Sequence, residues 1–523
     1  MNLTINSVEG LPEAETDMLR ELVEVWQSKL GRNETKMKYY NSKNRLKDLG
    51  ISIPPPLKDV ETVVGWPAKA VDALAARSRF DGYTFPDGED HGLADIVQRN
   101  NLRKVYAKAV LDELITSCSF LTVSAGAEGE PGAIVSAYTA MQAAAVWDMR
   151  LKRIKYGLTV VDIEKREPTG EAVPVWVNLY TDDSVWEIKK TETGWTSRKN
   201  PHSMGRPMME PLSYRSTLER PFGRSRISRA VMSITDSAVR CALRSEVAAE
   251  FNTAPQKYIL GADSDVFGDK SRWEAYIGNW LLLTRDEEGE MPSVGQLSQG
   301  SMQQHIDYMR SLAARFSGET SVPVSELGII HDNPSSAEAI YAAKETLVIE
   351  AENLNEDNGE ALRNIGMMAI ALSQGKGMDE LTDEERAIIP RFKNPARPSL
   401  VSQADAIVKA ATVFPWLADS SVALEEFGFD EDAILRLQAD KQRAQAAALM
   451  QAAAENGQDA KEPTMYEMSS IIKSYRTGKI SRANAVTLFS QIGVDEGQAA
   501  EILADAQDVE ETIAGEVDDG TDT

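Results

Sequence analysis

Much of the 523-residue chain carries apolar residues at the three- and four-residue spacing of amphipathic helices. The first helix is predicted over residues 12–50. Its apolar face is formed by Leu19, Leu22, Val23 and Trp26. Further helices are predicted over residues 60–115, and residues 395–455 are rich in alanine and predicted to be helical. Residues 465–507 predict a small helical pair, so the pattern indicates a mainly helical chain.

Runs of alternating apolar and polar residues between these helices predict β-strands. The period-two runs are residues 158–164, 175–180 and 184–190. An earlier strand is predicted at 117–124, and the glycine-rich cluster 126–132 that follows is typical of a hairpin turn. Helices and strands in this order predict an α+β unit with an antiparallel sheet over residues 1–220.

A long helical pattern from about residue 224 to residue 251 combines an apolar face with a basic stripe. At about 100° per residue, four arginines fall within roughly 60° of one another. These are Arg226, Arg229, Arg240 and Arg244, and the opposite face carries Ile227, Val231, Ile234, Ala238 and Ala242. The stripe is expected either to pair with carboxylates of a neighbouring helix or subunit or to contact phosphates. The residues alone leave both possibilities open.

The segment Lys36–Lys47 is both basic and aromatic. Such a segment is typical of a patch that binds nucleic acid or a protein partner. It is also typical of the polar face of a helix whose tyrosines pack inward, the interpretation we favour here.

A loop is predicted at residues 331–336, immediately before another long helix. Ser335 followed by Glu338 fits a capping box, so the helix is expected to start there. It continues to about Ser373, with a bend predicted at residues 350–359, where several acidic and polar residues interrupt the apolar pattern.

The charge balance restricts what the chain can bind. Lys and Arg total 56 and Asp and Glu total 81, which gives a net charge of −25. General adhesion to DNA or to an anionic membrane is not expected of so acidic a protein, although local basic patches remain compatible with it. The sequence shows no secretory signal and no apolar run of the ~18 residues that a bilayer span needs. We expect a soluble, intracellular protein in which Cys118 and Cys241 are buried, reduced thiols.

Common catalytic and metal-binding motifs are absent from the sequence. No two of its four histidines have the spacing of a helical zinc pair, and neither a phosphate-binding loop nor a nucleophile elbow occurs. Scattered carboxylates leave a magnesium site open, but unpaired acids more often form a solvated surface. We predict no metal, no cofactor and no catalytic activity.

The order of elements over residues 220–375 is unusual: a long helix, a small α/β excursion, a returning helix, a short loop and a long bent helix. Together with six local segments, this order resembles the portal proteins of tailed bacteriophages, particularly the siphophage portal family. The segments are Arg224–Asp236, Ala254–Gly261, Met291–Leu297, Val322–Gly328, Asn333–Ile340 and Ala404–Lys409. The resemblance covers most of residues 15–455.

The resemblance implies the portal fold, an α+β fold that is mainly helical and forms a ring, usually of twelve subunits. Its regions map onto this chain as a wing (1–220), a first stem helix (221–254), a clip (255–300), a second stem helix and return (301–329), a tunnel loop (330–336), a long kinked wing-to-crown helix (337–377) and a helical crown (378–455). A small C-terminal helical segment (456–507) and an acidic, disordered tail (508–523) complete the chain.

The resemblance also implies function and partners. The ring would occupy one capsid vertex of the virion after assembly in the host cytoplasm, and double-stranded DNA would be packaged and ejected through it. The terminase large subunit and then the head-to-tail adaptor would dock on the clip, while the major capsid protein and scaffold would contact the wing. No membrane is implied.

Three groups of site residues follow from this mapping. The tunnel loop, facing DNA, comprises Asp332, Asn333, Pro334, Ser335 and Ser336. The stem stripe is the set of four arginines given above. The clip interface comprises Lys257, Tyr258, Trp273, Trp280, Glu287 and Glu288. Two alternatives remain: a metal-dependent DNA-processing enzyme and a monomeric helical adaptor.

Overall fold

The computed structural model describes residues 3, 5, 7–44, 62–166, 171–253, 257–260, 293–296, 300–329, 337–396, 400–429, 431–455, 465–476, 480–492, 494–495, 497–500 and 502–503. Helix outweighs strand, 53% against 20%, which confirms a mainly helical fold that also contains sheet. The chain divides into two compact units, Met1–Arg397 and Pro398–Thr523.

The helices of the first unit are α1 (Glu13–Tyr40), α2 (Trp66–Ala75), α3 (Leu93–Arg99), α4 (Leu102–Thr116), α5 (Arg229–Thr253), α6 (Gln303–Thr320), α7 (Ala337–Ser373) and α8 (Asp383–Arg386). Those of the second unit are α9 (Leu400–Val413), α10 (Ser421–Glu426), α11 (Glu431–Glu455), α12 (Met465–Arg476) and α13 (Arg482–Gln491). Single 3-10 turns occur at Val324–Leu327, Met378–Glu380 and Pro415–Asp419.

The strands are β1 (Phe80–Thr84), β2 (Cys118–Ala125), β3 (Ala133–Thr139), β4 (Ala143–Asp148), β5 (Arg153–Arg166), β6 (Glu171–Tyr180), β7 (Ser184–Lys190), β8 (Trp195–Pro201), β9 (Met209–Ser213), β10 (Lys257–Leu260), β11 (Ser293–Gln296) and β12 (Ile389–Phe392). Within the described residues they form four antiparallel sheets, with strand orders β4-β5-β6-β7-β8, β3-β2-β9, β1-β12 and β10-β11. The antiparallel sheet predicted within residues 1–220 is thereby confirmed.

Helix α1 packs on the five-stranded sheet because both present an apolar face. Leu158, Leu179 and Trp186 lie side by side on neighbouring strands, and so do Val160, Val177 and Ile188. These residues share one buried cluster with the predicted apolar face of α1 (Leu19, Leu22, Val23 and Trp26). The Trp26 indole N–H donates to the Met141 carbonyl at 3.0 Å, which satisfies a polar group that burial would otherwise leave unpaired.

The larger core of the first unit is built around α7, which packs against β2, β3, β9 and β12. Its inward face repeats every three or four residues and is almost completely buried. The members of that face include Leu347, Ala351, Leu354, Asn358, Leu362, Ile365 and Met368. The helix is continuous through residues 350–359, where the sequence shows acidic and polar residues interrupting the apolar pattern. The bend predicted at these residues stays a prediction.

Three polar side chains meet inside this core, between α4 and α7. Asn358 donates from Nδ2 to Glu113 Oε2 at 2.9 Å and to the Tyr106 hydroxyl at 3.1 Å, and all three are fully buried. Burial raises the pKa of Glu113 to about 8, because no cation among the described residues pairs with it and the charged form is poorly solvated there. The carboxyl is therefore expected to be protonated at neutral pH.

Both cysteines are buried and unpaired, as predicted. Burial raises the pKa of the Cys118 thiol to about 12, and it also raises that of Cys241. Both are therefore expected to remain unreactive thiols.

The first unit extends further along the chain than the predicted boundary at residues 377/378. Strand β12 pairs with β1, so that Phe392 lies opposite Phe80 and also contacts Tyr106, with ring centroids 5.8 Å apart. Residues 378–396 thus belong to the same compact unit as the preceding helix, and the boundary between units falls at residues 397/398. This four-residue strand contains Pro390, a residue that is typical of edge strands and weakens a strand prediction.

The second unit contains helices throughout its described part, as predicted for residues 395–455 and 465–507. Helices α12 and α13 form the expected pair. A small apolar cluster accompanies them and contains Ala485, Phe489, Val494, Ala499 and Leu503. The predicted acidic tail, residues 508–523, lies outside the described residues.

Candidate functional site

Helices α5 and α6 form an antiparallel hairpin at the position predicted for the stem. Arg226, just before α5, donates to the carbonyl of Thr320, the last residue of α6. The start of α5 therefore lies near the end of α6. Further along α5, the Cys241 thiol lies 3.5 Å from the His305 carbonyl near the start of α6. The predicted packing residues Val231, Ile234 and Ala238 are buried in the same core as Leu312 and Phe316.

A pair of strands continues this hairpin. Strand β10 begins four residues after α5 and pairs with β11, so that Lys257 lies opposite Gln296 and Tyr258 opposite Gly295. The other predicted clip residues, Trp273, Trp280, Glu287 and Glu288, lie outside the described residues, as do the side chains of the first two. The predicted tunnel loop, Asp332, Asn333, Pro334, Ser335 and Ser336, also lies outside them.

The predicted arginine stripe needs one correction, because α5 begins at Arg229 and not at residue 224. Arg229 and Arg244 are exposed on the helix, and Arg240 is half-buried with its Nη2 donating to Ser237 Oγ at 3.1 Å. Arg226 precedes the helix and is 5% exposed, so it does not share that surface. The physical reason is that residues before α5 bond to other segments: the Arg224 N–H to the Tyr214 carbonyl and the Arg226 N–H to the Leu114 carbonyl.

Arg226 instead anchors a buried polar cluster. Its Nη1 lies 2.7 Å from Glu350 Oε1 on α7 and donates to the Tyr214 hydroxyl at 2.8 Å, and its Nε donates to the Ala70 carbonyl at 2.7 Å. The Tyr214 hydroxyl in turn donates to Glu350, and Arg215 reaches the same carboxylate at 2.7 Å. The guanidinium thus connects α2, α6 and α7 to the segment before α5, and its partner is a carboxylate of the same chain.

A basic pocket of about 820 Å³ opens beside this cluster, between the end of α1, the segment 214–229 and the end of α6. Three of its basic groups have partners: Arg226 and Arg215 bind Glu350, and Lys36 donates to the Ile227 carbonyl. Four others are exposed arginines, namely Arg32, Arg220, Arg224 and Arg229. Glu319 is the one carboxylate among the described lining residues.

The pKa of the Lys36 ammonium reflects the burial and the charges around it in this pocket. Burial and, second to it, the nearby charge of Arg32 together lower the pKa of its ammonium to about 8. The contribution of Arg32 shows that positive charges stand close together here, and such a concentration of like charge favours an anion.

The tyrosines of the basic and aromatic segment turn inward, as favoured from the sequence. The Tyr39 hydroxyl donates to both carboxylate oxygens of Asp236, at 3.0 and 2.9 Å, and the Tyr40 hydroxyl donates to Asp72 at 2.9 Å. Burial and the neighbouring carboxylate Asp236 raise the pKa of Tyr39 to about 12. Of this segment, residues 45–47 lie outside the description.

Sequence reasoning missed most of the pocket. Arg215 and Arg220 precede the predicted helix, Arg224 stands at its predicted start but outside the stripe, and Arg32 comes from a distant helix. The one sequence feature that could have indicated the pocket is the high local frequency of arginine, since five arginines fall within residues 215–229. Glu350 could not be found in this way, since its partner lies more than one hundred residues earlier in the chain.

The described part of the chain also bears on metal binding and on membrane insertion. It contains no group of three or more His, Cys, Asp or Glu side chains arranged to hold a metal ion. No helix within the same residues combines the length and apolar character that crossing a membrane requires.

Comparison with known proteins identifies relatives over most of the chain. The chain is 25% identical over 406 residues to the protein named "Portal protein" of Mycobacterium phage D29, covering 74% of this chain and 81% of the relative. It is 27% identical over 387 residues to the "Portal protein" of Mycobacterium phage L5, covering 71% and 77%.

Among solved structures, one described as "Neck of empty GTA particle computed with C6 symmetry" is similar with a TM-score of 0.41 at 14% identity. The similarity covers 75% of this chain and 94% of that one. A TM-score below 0.5 leaves that structure without bearing on the arrangement of this chain.

A sequence model of one protein family matches a longer part of the chain than either relative does. The sequence model of the family described as "Phage portal protein, SPP1 Gp6-like" matches residues 19–446, which include the α5–α6 hairpin, the basic pocket and α7. The chain therefore belongs to the SPP1 Gp6-like family of phage portal proteins.

Proposed function

We propose that this chain assembles into a ring of about twelve copies at one capsid vertex, and that the ring is the channel through which double-stranded DNA is packaged and ejected. The observation that carries the proposal is the family match over residues 19–446. Phage portal proteins are virion components that connect head and tail. Assembly in the host cytoplasm is part of the proposal.

The α5–α6 hairpin supports a role as a strut of such a channel. It is antiparallel, apolar on the inward face and continued by the β10–β11 strand pair. We assign the stem to this hairpin and the clip to residues 255–300. The terminase large subunit would dock on the clip during packaging and the head-to-tail adaptor afterwards, with the major capsid protein and scaffold on the wing.

The charge of the chain agrees with a conduit. Double-stranded DNA carries one negative charge per ~1.7 Å of its axis, so a strongly basic bore would retain it. A subunit with a net charge of −25 gives the ring an overall negative charge, which keeps contacts with the duplex weak. The proposed tunnel loop, residues 332–336, contains no Lys or Arg.

Catalysis is not part of this proposal, because the portal family is structural. A metal-dependent nuclease would need several carboxylates converging on a metal ion. A monomeric helical adaptor is the other alternative, and the mass of the native assembly distinguishes it from a ring.

A complementation experiment tests the function. Phage that lack this chain should form heads without packaged DNA, because no channel connects the head to the packaging motor. Supplying the chain in trans should restore DNA-filled heads. Filled heads formed without it would contradict the proposal.

A further inference from the structure

The basic pocket contains more positive charge than its own chain neutralises. Among the described residues, none of the four exposed arginines Arg32, Arg220, Arg224 and Arg229 has a carboxylate within the 4.0 Å of an ion pair. Glu350 is already shared between Arg215 and Arg226. Clustered like charges repel one another, so the pocket is suited to binding an anionic partner.

The walls of the pocket are fixed before any partner arrives. The Arg224 N–H donates to the Tyr214 carbonyl at 2.8 Å, and the N–H groups of Arg220 and Thr217 bond to each other's carbonyls at 2.9 and 3.1 Å. Ser225 Oγ donates to the Ile115 carbonyl at 2.6 Å. The backbone that presents the arginines is therefore held to Tyr214, directly after β9, and to α4, which reduces the entropy that binding must offset.

We propose that this pocket is a contact between subunits, in which carboxylates of a second copy of the chain bind Arg220, Arg224 and Arg229. The inference rests on the proposed ring. The chemistry of the partner follows from charge: each copy carries 81 acidic residues against 56 basic ones, so a neighbouring copy presents carboxylates in excess. Arginine is well suited to the role because its planar guanidinium binds a carboxylate through two hydrogen bonds.

The shape of the pocket favours a protein carboxylate over duplex DNA. A cube of 820 Å³ has an edge of about 9 Å, whereas the major groove of a duplex alone is about 12 Å wide. A duplex could touch only the rim of such a pocket, while an acidic side chain could enter it.

The test reverses the charge of two exposed pocket residues, in the double variant R220E/R224E. Neither side chain has a described intramolecular partner, so the subunit is expected to fold. The matched control is K104E/K108E, which makes the same change of charge at two exposed lysines of α4 outside the pocket. Thermal melting checks the fold, native mass measures assembly, and fluorescence anisotropy with a labelled duplex measures DNA binding.

The wild type and the control are expected to form rings at the same protein concentration. R220E/R224E should melt like the wild type but need at least tenfold more protein to assemble, with unchanged duplex binding. The milder variant R220Q/R224Q should fall between the two, because it removes charge without adding repulsion.

Three results would overturn the inference: assembly of R220E/R224E at the wild-type concentration, an equal loss of assembly in the control, or normal assembly with weakened duplex binding. The last would identify the arginines as phosphate contacts. A wild-type chain that forms no ring would instead contradict the proposed function, so the two failures are distinguishable.

Discussion

Arg226 and Glu350 form a buried ion pair that joins the segment before α5 to α7, with Nη1 and Oε1 2.7 Å apart. Their side chains are 2% and 9% exposed, so neither charge is solvated by bulk water. The remaining donors of Arg226 bind carbonyls and a hydroxyl, which is the arrangement that makes a buried charge tolerable. Removing one partner should therefore cost far more than removing a surface ion pair.

The variant E350Q tests this relationship. It leaves the guanidinium of Arg226 buried with neutral partners, and we expect the free energy of unfolding to fall by about 3–5 kcal/mol. The control D17N removes the exposed pair between Asp17 and Arg20, whose side chains are 65% and 50% exposed, and should cost less than about 1 kcal/mol. Urea unfolding of unassembled subunits measures both, and equal costs would refute the structural role of the pair.

Glu113 should make stability depend on pH. Its pKa is raised from 4.5 to about 8 in the folded chain, so between these values the folded state holds a proton that the unfolded state has lost. Stability is therefore expected to fall as pH rises from about 4.5 to about 8. The variant E113Q is neutral at every pH, so its stability relative to the wild type should rise over this window. Urea midpoints at pH 5, 6.5 and 8 measure the difference, and a constant difference would argue against a protonated Glu113.

Gly223 holds the turn beside the basic pocket, and replacement by alanine should be costly. Its φ is +65°, and a Cβ there would collide with the Tyr214 carbonyl oxygen and lie 3.1 Å from that of Ser117. We expect G223A to lose about 2 kcal/mol or more of stability.

The matched glycine control is G31A, in the interior of α1. A Cβ at this position meets nothing within 4 Å, and alanine favours the helix by about 0.5–1 kcal/mol. Thermal melting should therefore shift in opposite directions for the two alanine variants. A similar shift in both would show that the turn tolerates a side chain.

The proposed tunnel loop can be tested separately from assembly. S335K places a positive charge where the loop would approach DNA, and P334G removes the fixed φ of the proline. We expect both variants to form rings of wild-type mass and to reduce the amount of DNA packaged per head. S335Q introduces an uncharged side chain of a length similar to that of lysine, and phage with this variant should package DNA normally. Normal packaging by S335K and P334G would contradict the assignment of this loop.

Periodic features of the fold could be predicted from the sequence. The apolar faces of α1 and α5 and the strands of the five-stranded sheet each repeat at a fixed interval, and residues such as Trp26 and Val231 are buried as expected. The hairpin turn at 126–132 followed from its glycines. These elements depend on local spacing, which a single sequence contains.

Features that depend on long-range contacts could not be predicted. The helical pattern extends back to residue 224, but tertiary hydrogen bonds of the backbone at Arg224 and Arg226 delay the start of α5 until Arg229. Strand β12 exists because β1 pairs with it, more than three hundred residues away. The basic pocket combines α1, α6 and the segment before α5, and no local pattern indicates that they meet.

The mass and shape of the purified protein under native conditions test the central claim most directly. A ring should have a mass that is a whole multiple of 57.5 kDa, about twelvefold, and images down its axis should show rotational symmetry around an open centre. A particle of 57.5 kDa without a central opening, at concentrations where phage proteins assemble, would contradict the account.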